Sequence, residues 1–176
     1  MRFSASLGLS VIAAAMLASA SFHGQDSKAQ TGTQETPAIL FVCEHGAAKS
    51  VIAAAYFDKL AKERGLKYRA VFRGTNPDPA LAAAAEKGLN EDGIDTRGWR
   101  PEVVAKKEME RAARIVTLGC ALPGEEAVAD KVTAWNDIPP VSQNYRVARD
   151  EIVKRLQGLI DDLAKKEQET KRRRIE

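Results

Sequence analysis

The chain reads as an α/β sandwich of three layers, built on a four-stranded parallel sheet. Three observations predict it. Residues 38–42 (AILFV) are continuously apolar, as a strand covered on both faces must be. A helical pattern of apolar residues starts within eight residues of that strand's end, and strand and helix signals then alternate to the close of the chain. Such alternation builds parallel strands joined by right-handed crossovers, with the functional site beyond the carboxyl ends of the strands.

Each element has its own signal. Ser50 to Arg64 reads as the first helix, with Ile52, Ala55, Tyr56 and Leu60 at helical spacing and Gly65 as its stop. Tyr68 to Phe72 is a short second strand. The following RGTNPDP is a loop by its glycine and two prolines, after which residues 79–93 (PALAAAAEKGLNEDG) read as a helix ending at Gly93. Residues 101–113 (PEVVAKKEMERAA) suit another helix, with Pro101 in its first turn. Arg114 to Leu118 is a third strand and Lys131 to Ala134 a weaker fourth. The last helix runs from about Ser142 to Leu163, carrying an apolar stripe of Tyr145, Ala148, Ile152, Leu156, Leu159 and Leu163.

The ends bound the class of protein. Arg2 precedes a 14-residue apolar run, Leu7 to Ala20, and Ala18-Ser19-Ala20 offers the small residues of a cleavage site. Residues 1–20 therefore read as a secretory signal peptide, since a membrane-spanning helix needs roughly 20 apolar residues. The expected protein is exported, periplasmic or extracellular after cleavage, with no stable membrane anchor. Residues 21–36 form a polar, aperiodic lead that includes His23, and residues 37–164 make one domain. The tail, residues 165–176, holds six basic and three acidic groups, so it carries the whole formal charge of +3. A nucleic-acid surface is not expected, because such proteins spread basic residues over a folded face. The tail reads as a solvated helix end, with a surface-binding segment as the alternative.

The chemistry concentrates in VCEHGAAKS, residues 42–50. A loop that leaves a strand and enters a helix turns backbone N–H groups inward, and the helix dipole adds to their field, which makes a cradle for a tetrahedral oxyanion. Gly46 lets the loop turn, and Ala47 and Ala48 leave room for the anion. A helix N-terminus and a nearby cation favour the thiolate, so Cys43 is the expected nucleophile and Lys49 the expected positive charge. Ser50 is placed to cap the helix and to donate a hydrogen bond to the sulfur. Glu44 and His45 sit in the loop as further acid–base candidates, with a solvent-facing imidazole the plainer account of His45. The plain alternative for Cys43 is one half of a structural disulfide in an exported protein with two cysteines. No metal or cofactor is implied, since two Cys and two His show no ligand spacing.

VCEHGAAKS resembles the signature of the low-molecular-weight protein tyrosine phosphatase superfamily, which includes thioredoxin-coupled arsenate reductases. Its pattern is Cys, five residues, Arg, Ser. FRGTNPDP, DGIDTRGWRP, RAARIVTLGC and KVTAW with PP and YRVARDEIVKRL resemble successive family segments, so the likeness covers residues 38–163. The resemblance implies a sheet of order 2-1-3-4 with a cysteine phosphate-binding loop after the first strand. It implies a Cys43 phosphoenzyme, with an Arg replaced here by Lys49, a point charge that cannot clamp two phosphoryl oxygens with parallel N–H bonds. The family's loop Asn is Gly46. Its Asp-Pro general acid would fall at Pro139, leaving Asp137, two residues earlier, as the candidate acid or a simple turn residue. Cys120 occupies the place of a resolving cysteine beside Cys43, but residues 121–130 supply no third cysteine. The expected substrate is a small oxyanion or phosphomonoester. Three readings follow: a phosphomonoester phosphatase, phosphotyrosine included; an arsenate or oxyanion reductase using Cys43 and Cys120 with an outside thiol reductant; and a non-catalytic oxyanion-binding or redox-sensing protein.

Overall fold

The protein is described by a computed structural model covering residues 36–175. The expected signal peptide, His23 and nearly all of the lead lie outside these residues. Four parallel strands form one sheet in the order β2-β1-β3-β4, where β1 is Ala38–Cys43, β2 Arg69–Gly74, β3 Arg114–Thr117 and β4 Val132–Ala134. This is the order expected from the sequence. The helices are α1 (Lys49–Glu63), α2 (Ala83–Glu91), α3 (Lys106–Arg111) and α4 (Tyr145–Arg173).

Strand β1 is central and its side chains alternate between two cores. Ile39, Phe41 and Cys43 join the core containing α1, α2 and α4 residues, where Phe41 lies 5.6 Å from Phe57 and 6.4 Å from Trp135, centroid to centroid. Leu40 and Val42 face the other layer, with Met109, Ala112, Ile115, Leu122 and Val128. Burial on both faces explains the unbroken apolar run, and each such side chain contributes about 1.5–3 kcal/mol. Asp92 then ties three helices together, accepting from Tyr56 Oη (2.7 Å), Tyr145 Oη (2.6 Å) and Arg149 Nη1 (3.0 Å).

Four elements differ from the sequence expectation by more than one residue, each for a tertiary reason. Strand β2 continues to Gly74, which pairs in register with Cys43. Only Lys106–Arg111 of residues 101–113 is helical, because residues 102–104 run extended along Gly74: Gly74 N–H donates to Glu102 O (2.8 Å) and Val104 N–H to Gly74 O (2.9 Å). Helix α2 starts at Ala83 rather than Pro79, and the Ala82 N–H instead donates to Ala47 O (2.9 Å). Helix α4 runs past Leu163 to Arg173, and Glu167 accepts from the Lys67 N–H (3.1 Å), so residues 165–173 of the basic tail are helical and Glu167 ties them to the domain. Its inward stripe uses Ile160 as a fully buried residue, with Leu159 only partly covered.

Candidate active site

The carboxyl ends of β2, β1 and β3 lie side by side, and the segment between β1 and α1 packs against the end of β2. Its shape is set by a second segment, residues 75–82. Thr75 N–H donates to Cys43 O (3.2 Å), Asn76 N–H to Glu44 O (2.8 Å), Asp78 N–H to His45 O (3.0 Å) and Ala82 N–H to Ala47 O (2.9 Å). Four loop carbonyls are thereby drawn outward. Each trans peptide plane points its N–H opposite to its C=O, so the amides of Glu44, His45, Gly46 and Ala48 are directed the other way, into the loop. The N-terminus of α1 adds its free amides and its positive dipole end to the same place.

Two glycines make this possible. Gly46 has φ +61°, and a Cβ there would stand 2.8 Å from Gly74 N; a Cβ on Gly74 would stand 2.8 Å from Gly46 N. The loop backbone thus lies directly on the end of β2, closer than any side chain permits. Glycine supplies both the left-handed conformation and the missing atoms.

Cys43 sits at the floor, only 7 % exposed. Its Sγ shares a 3.1 Å hydrogen bond with Ser50 Oγ, and Ser50 is fully buried. When the sulfur is a thiolate, the hydroxyl is necessarily the donor. Ser50 is therefore not the helix cap that its sequence position suggests: Ala48 holds that place, and the hydroxyl turns to the sulfur instead. Lys49 extends over Gly119 at the end of β3, its Nζ 3.7 Å from where a Gly119 Cβ would be. Among the described residues Lys49 has no side-chain hydrogen bond or ion pair, which leaves its charge available to an incoming anion. A cleft of about 520 Å³ opens above Cys43, with Glu44, His45, Lys49 and Asp78 at its charged side. Ala47, Ala48, Ala82, Leu118 and Val141 form its apolar side.

The predicted site residues divide by this geometry. Cys43, Glu44, His45, Ala47, Ala48 and Lys49 line one cleft, with Gly46 and Ser50 supporting it from below. Asp137 is not brought to them. Its Oδ2 receives a 2.6 Å hydrogen bond from Arg155 Nη2, and it lines a separate depression with Pro139 and Lys154. Arg155 holds the Asp137 carboxyl below the usual carboxylate range, which keeps it ionised, without a proton to give. Asp78 is the site residue that sequence reasoning missed. Its signal was RGTNPDP itself, a loop at the end of a strand adjacent to that of Cys43.

Cys120 neighbours Cys43 and, like it, is a free thiol. Its Sγ–H donates to Val42 O at 3.5 Å. Burial first, then the neighbouring Cys43 sulfur, pushes the Cys120 thiol up to about 11. At neutral pH it is a protonated thiol and a poor nucleophile.

Residues 38–134 match the family model described as low molecular weight phosphotyrosine protein phosphatase. Solved structures that resemble the chain include YfkJ from Bacillus subtilis, at TM-score 0.64 and 18 % identity over 77 % of this chain and 99 % of that one. The YwlE arginine phosphatase from Geobacillus stearothermophilus aligns at TM-score 0.60 and 22 % identity, covering 76 % and 96 %. An arsenate reductase from Archaeoglobus fulgidus aligns at TM-score 0.55 and 27 % identity, covering 70 % and 98 %.

A direct check of the site's electrostatics is alkylation of Cys120 in a Cys43→Ser protein. Burial disfavours the thiolate, so labelling is expected to be slow at pH 7 and still rising above pH 9; a rate that levels off near the ordinary thiol value of about 8.5 contradicts the assignment.

Proposed function

The chain belongs to the low molecular weight phosphotyrosine protein phosphatase family, and from that premise we propose that it is an exported phosphatase that hydrolyses a phosphomonoester, phosphotyrosine included, through a phosphocysteine at Cys43. The observation that carries this reading is the position of the Cys43 sulfur. It lies at the floor of a loop with four carbonyls turned away, against a serine hydroxyl, and shares its cleft with an ammonium that is unpaired among the described residues. The phosphoryl oxygens take the inward amides and the α1 N-terminus, and Lys49 neutralises part of their charge. Sulfur attacks phosphorus as the ester P–O bond breaks. Water then attacks phosphorus, the P–S bond breaks, and the Ser50 hydroxyl stabilises the departing thiolate.

The oxyanion-reductase reading has one observation in its favour: Cys120 sits against Val42, next to the nucleophile. In that reaction arsenate takes two electrons from the Cys43 and Cys120 thiols, which end as a disulfide that an outside thiol reopens. The raised Cys120 thiol and the lack of a further cysteine in residues 121–130 place this reading second. Export is supported by the charge, apolar run and small residues of positions 2–20.

Three measurements test these statements. Phosphate release from an aryl phosphate is expected from wild type and Cys120→Ser, and is expected to be lost in Cys43→Ser; thiol-dependent arsenate reduction that disappears in both variants identifies the reductase instead. Lys49→Arg is expected to raise turnover about ten-fold or more, because a guanidinium pairs two phosphoryl oxygens where an ammonium serves one; an unchanged or lower kcat removes the lysine as the limit. Protein recovered from the producing cell's exterior or periplasm is expected to begin just after Ala20, whereas an intact N-terminus in the cytoplasm rules export out.

A further inference from the structure

We propose that His45, positioned by Asp78, is the acid and base of this site, an inference that rests on the phosphatase reading. Phosphoryl transfer from an ester needs a proton for the leaving oxygen, and the late loop does not supply one. Asp137 is committed to Arg155 at 2.6 Å and lies outside the cleft. Apart from Cys43 and Lys49, the titratable side chains that line the cleft are Glu44, His45 and Asp78. An exposed carboxylate is ionised near neutral pH, whereas an imidazole both carries and sheds a proton in that range.

The geometry singles out one nitrogen of that imidazole. His45 Nδ1 lies 3.1 Å from Asp78 Oδ1, an ion-pair contact that sets this nitrogen against the carboxylate. The other, Nε2, stands 3.8 Å from Glu44 Oε2, too far for a hydrogen bond, and is free for a substrate. The pairing is anchored twice, because the Asp78 N–H also donates to His45 O at 3.0 Å. Pro77 and Pro79 flank Asp78 and restrict its backbone. The His45 side chain is 55 % exposed, so it stands at the rim of the loop while Cys43 lies at its floor. A leaving group displaced from phosphorus by the sulfur departs on the rim side.

In the first step Sγ of Cys43 bonds to phosphorus, the P–O bond breaks, and the Nε2 proton of the imidazolium passes to the departing oxygen. In the second, the neutral imidazole takes a proton from water as its oxygen attacks phosphorus, and the P–S bond breaks to return the thiolate. The sum is ester plus water giving alcohol plus inorganic phosphate. Asp78 does not touch the substrate; it lies against Nδ1, favours one ring orientation and balances the imidazolium charge.

Leaving-group dependence separates this role from a structural one. Turnover of p-nitrophenyl phosphate, whose phenolate leaves without help, is compared with that of phenyl phosphate, whose phenolate needs a proton. In His45→Asn the phenyl to p-nitrophenyl rate ratio is expected to fall on the order of 10²-fold. In Asp78→Asn it is expected to fall in the same direction by less, and the double variant to resemble His45→Asn. A ratio that stays constant in His45→Asn, whether both rates fall together or neither falls, overturns the proposal while leaving the phosphatase reading intact. Absence of turnover of both esters by wild type overturns that reading and this proposal with it.

Discussion

The contact between two backbones, Gly46 against Gly74, is the constraint on which the site depends. β1 and β2 pair in register to their last residues, so Cys43 ends its strand opposite Gly74. The chain leaving Cys43 must then pass over the end of β2. It does so at a distance that leaves no room for a Cβ on either residue. From that closeness follow the hydrogen bonds of residues 75–82 to the loop carbonyls, and from those the inward amides. The same contact halts helix formation nearby: Ala82 gives its N–H to the loop before α2 begins, and residues 102–104 stay extended beside Gly74. An anion cradle is obtained here at the expense of regular structure in two neighbouring segments.

Charge around the cleft is unevenly supported. Among the described residues Lys49 stands without a partner, whereas Glu44, His45 and Asp78 form a linked group at the rim. A single ammonium attracts an anion well, yet it recognises no particular oxygen geometry, and so the amides bear most of the orientation. In the proposed reaction the loop holds the tetrahedral anion and the rim residues decide what leaves from it. Ser50 and Cys120 act at the sulfur level below. One is hydrogen-bonded to the Cys43 sulfur, and the other is a half-buried neutral thiol against the strand that carries Cys43.

Much of this arrangement was legible in the residue order because it rests on local patterns. AILFV is apolar throughout since both faces of β1 are covered, and the Cys-to-Ser segment lies between a strand and a helix wherever those two form. Asp137 and Asp78 show where such reading stops. Both are loop aspartates near prolines, and nothing in their local sequence distinguishes them. Asp137 is claimed by Arg155, 18 residues away on α4, and Asp78 faces His45 from the end of another strand.

The sequence by itself determined the class of fold, the strand order through its family resemblance, and the place of Cys43 at the start of a loop between strand and helix. These depend on periodicity, on apolar runs and on glycine placed where the chain must turn, all of which are written in neighbouring residues. The tertiary structure alone decided which carboxylate reaches the cleft, that Ser50 does not also cap α1, and how far β2 and α4 extend. Such outcomes turn on distances between segments far apart in the chain, where a shift of a few ångströms exchanges one hydrogen-bond partner for another.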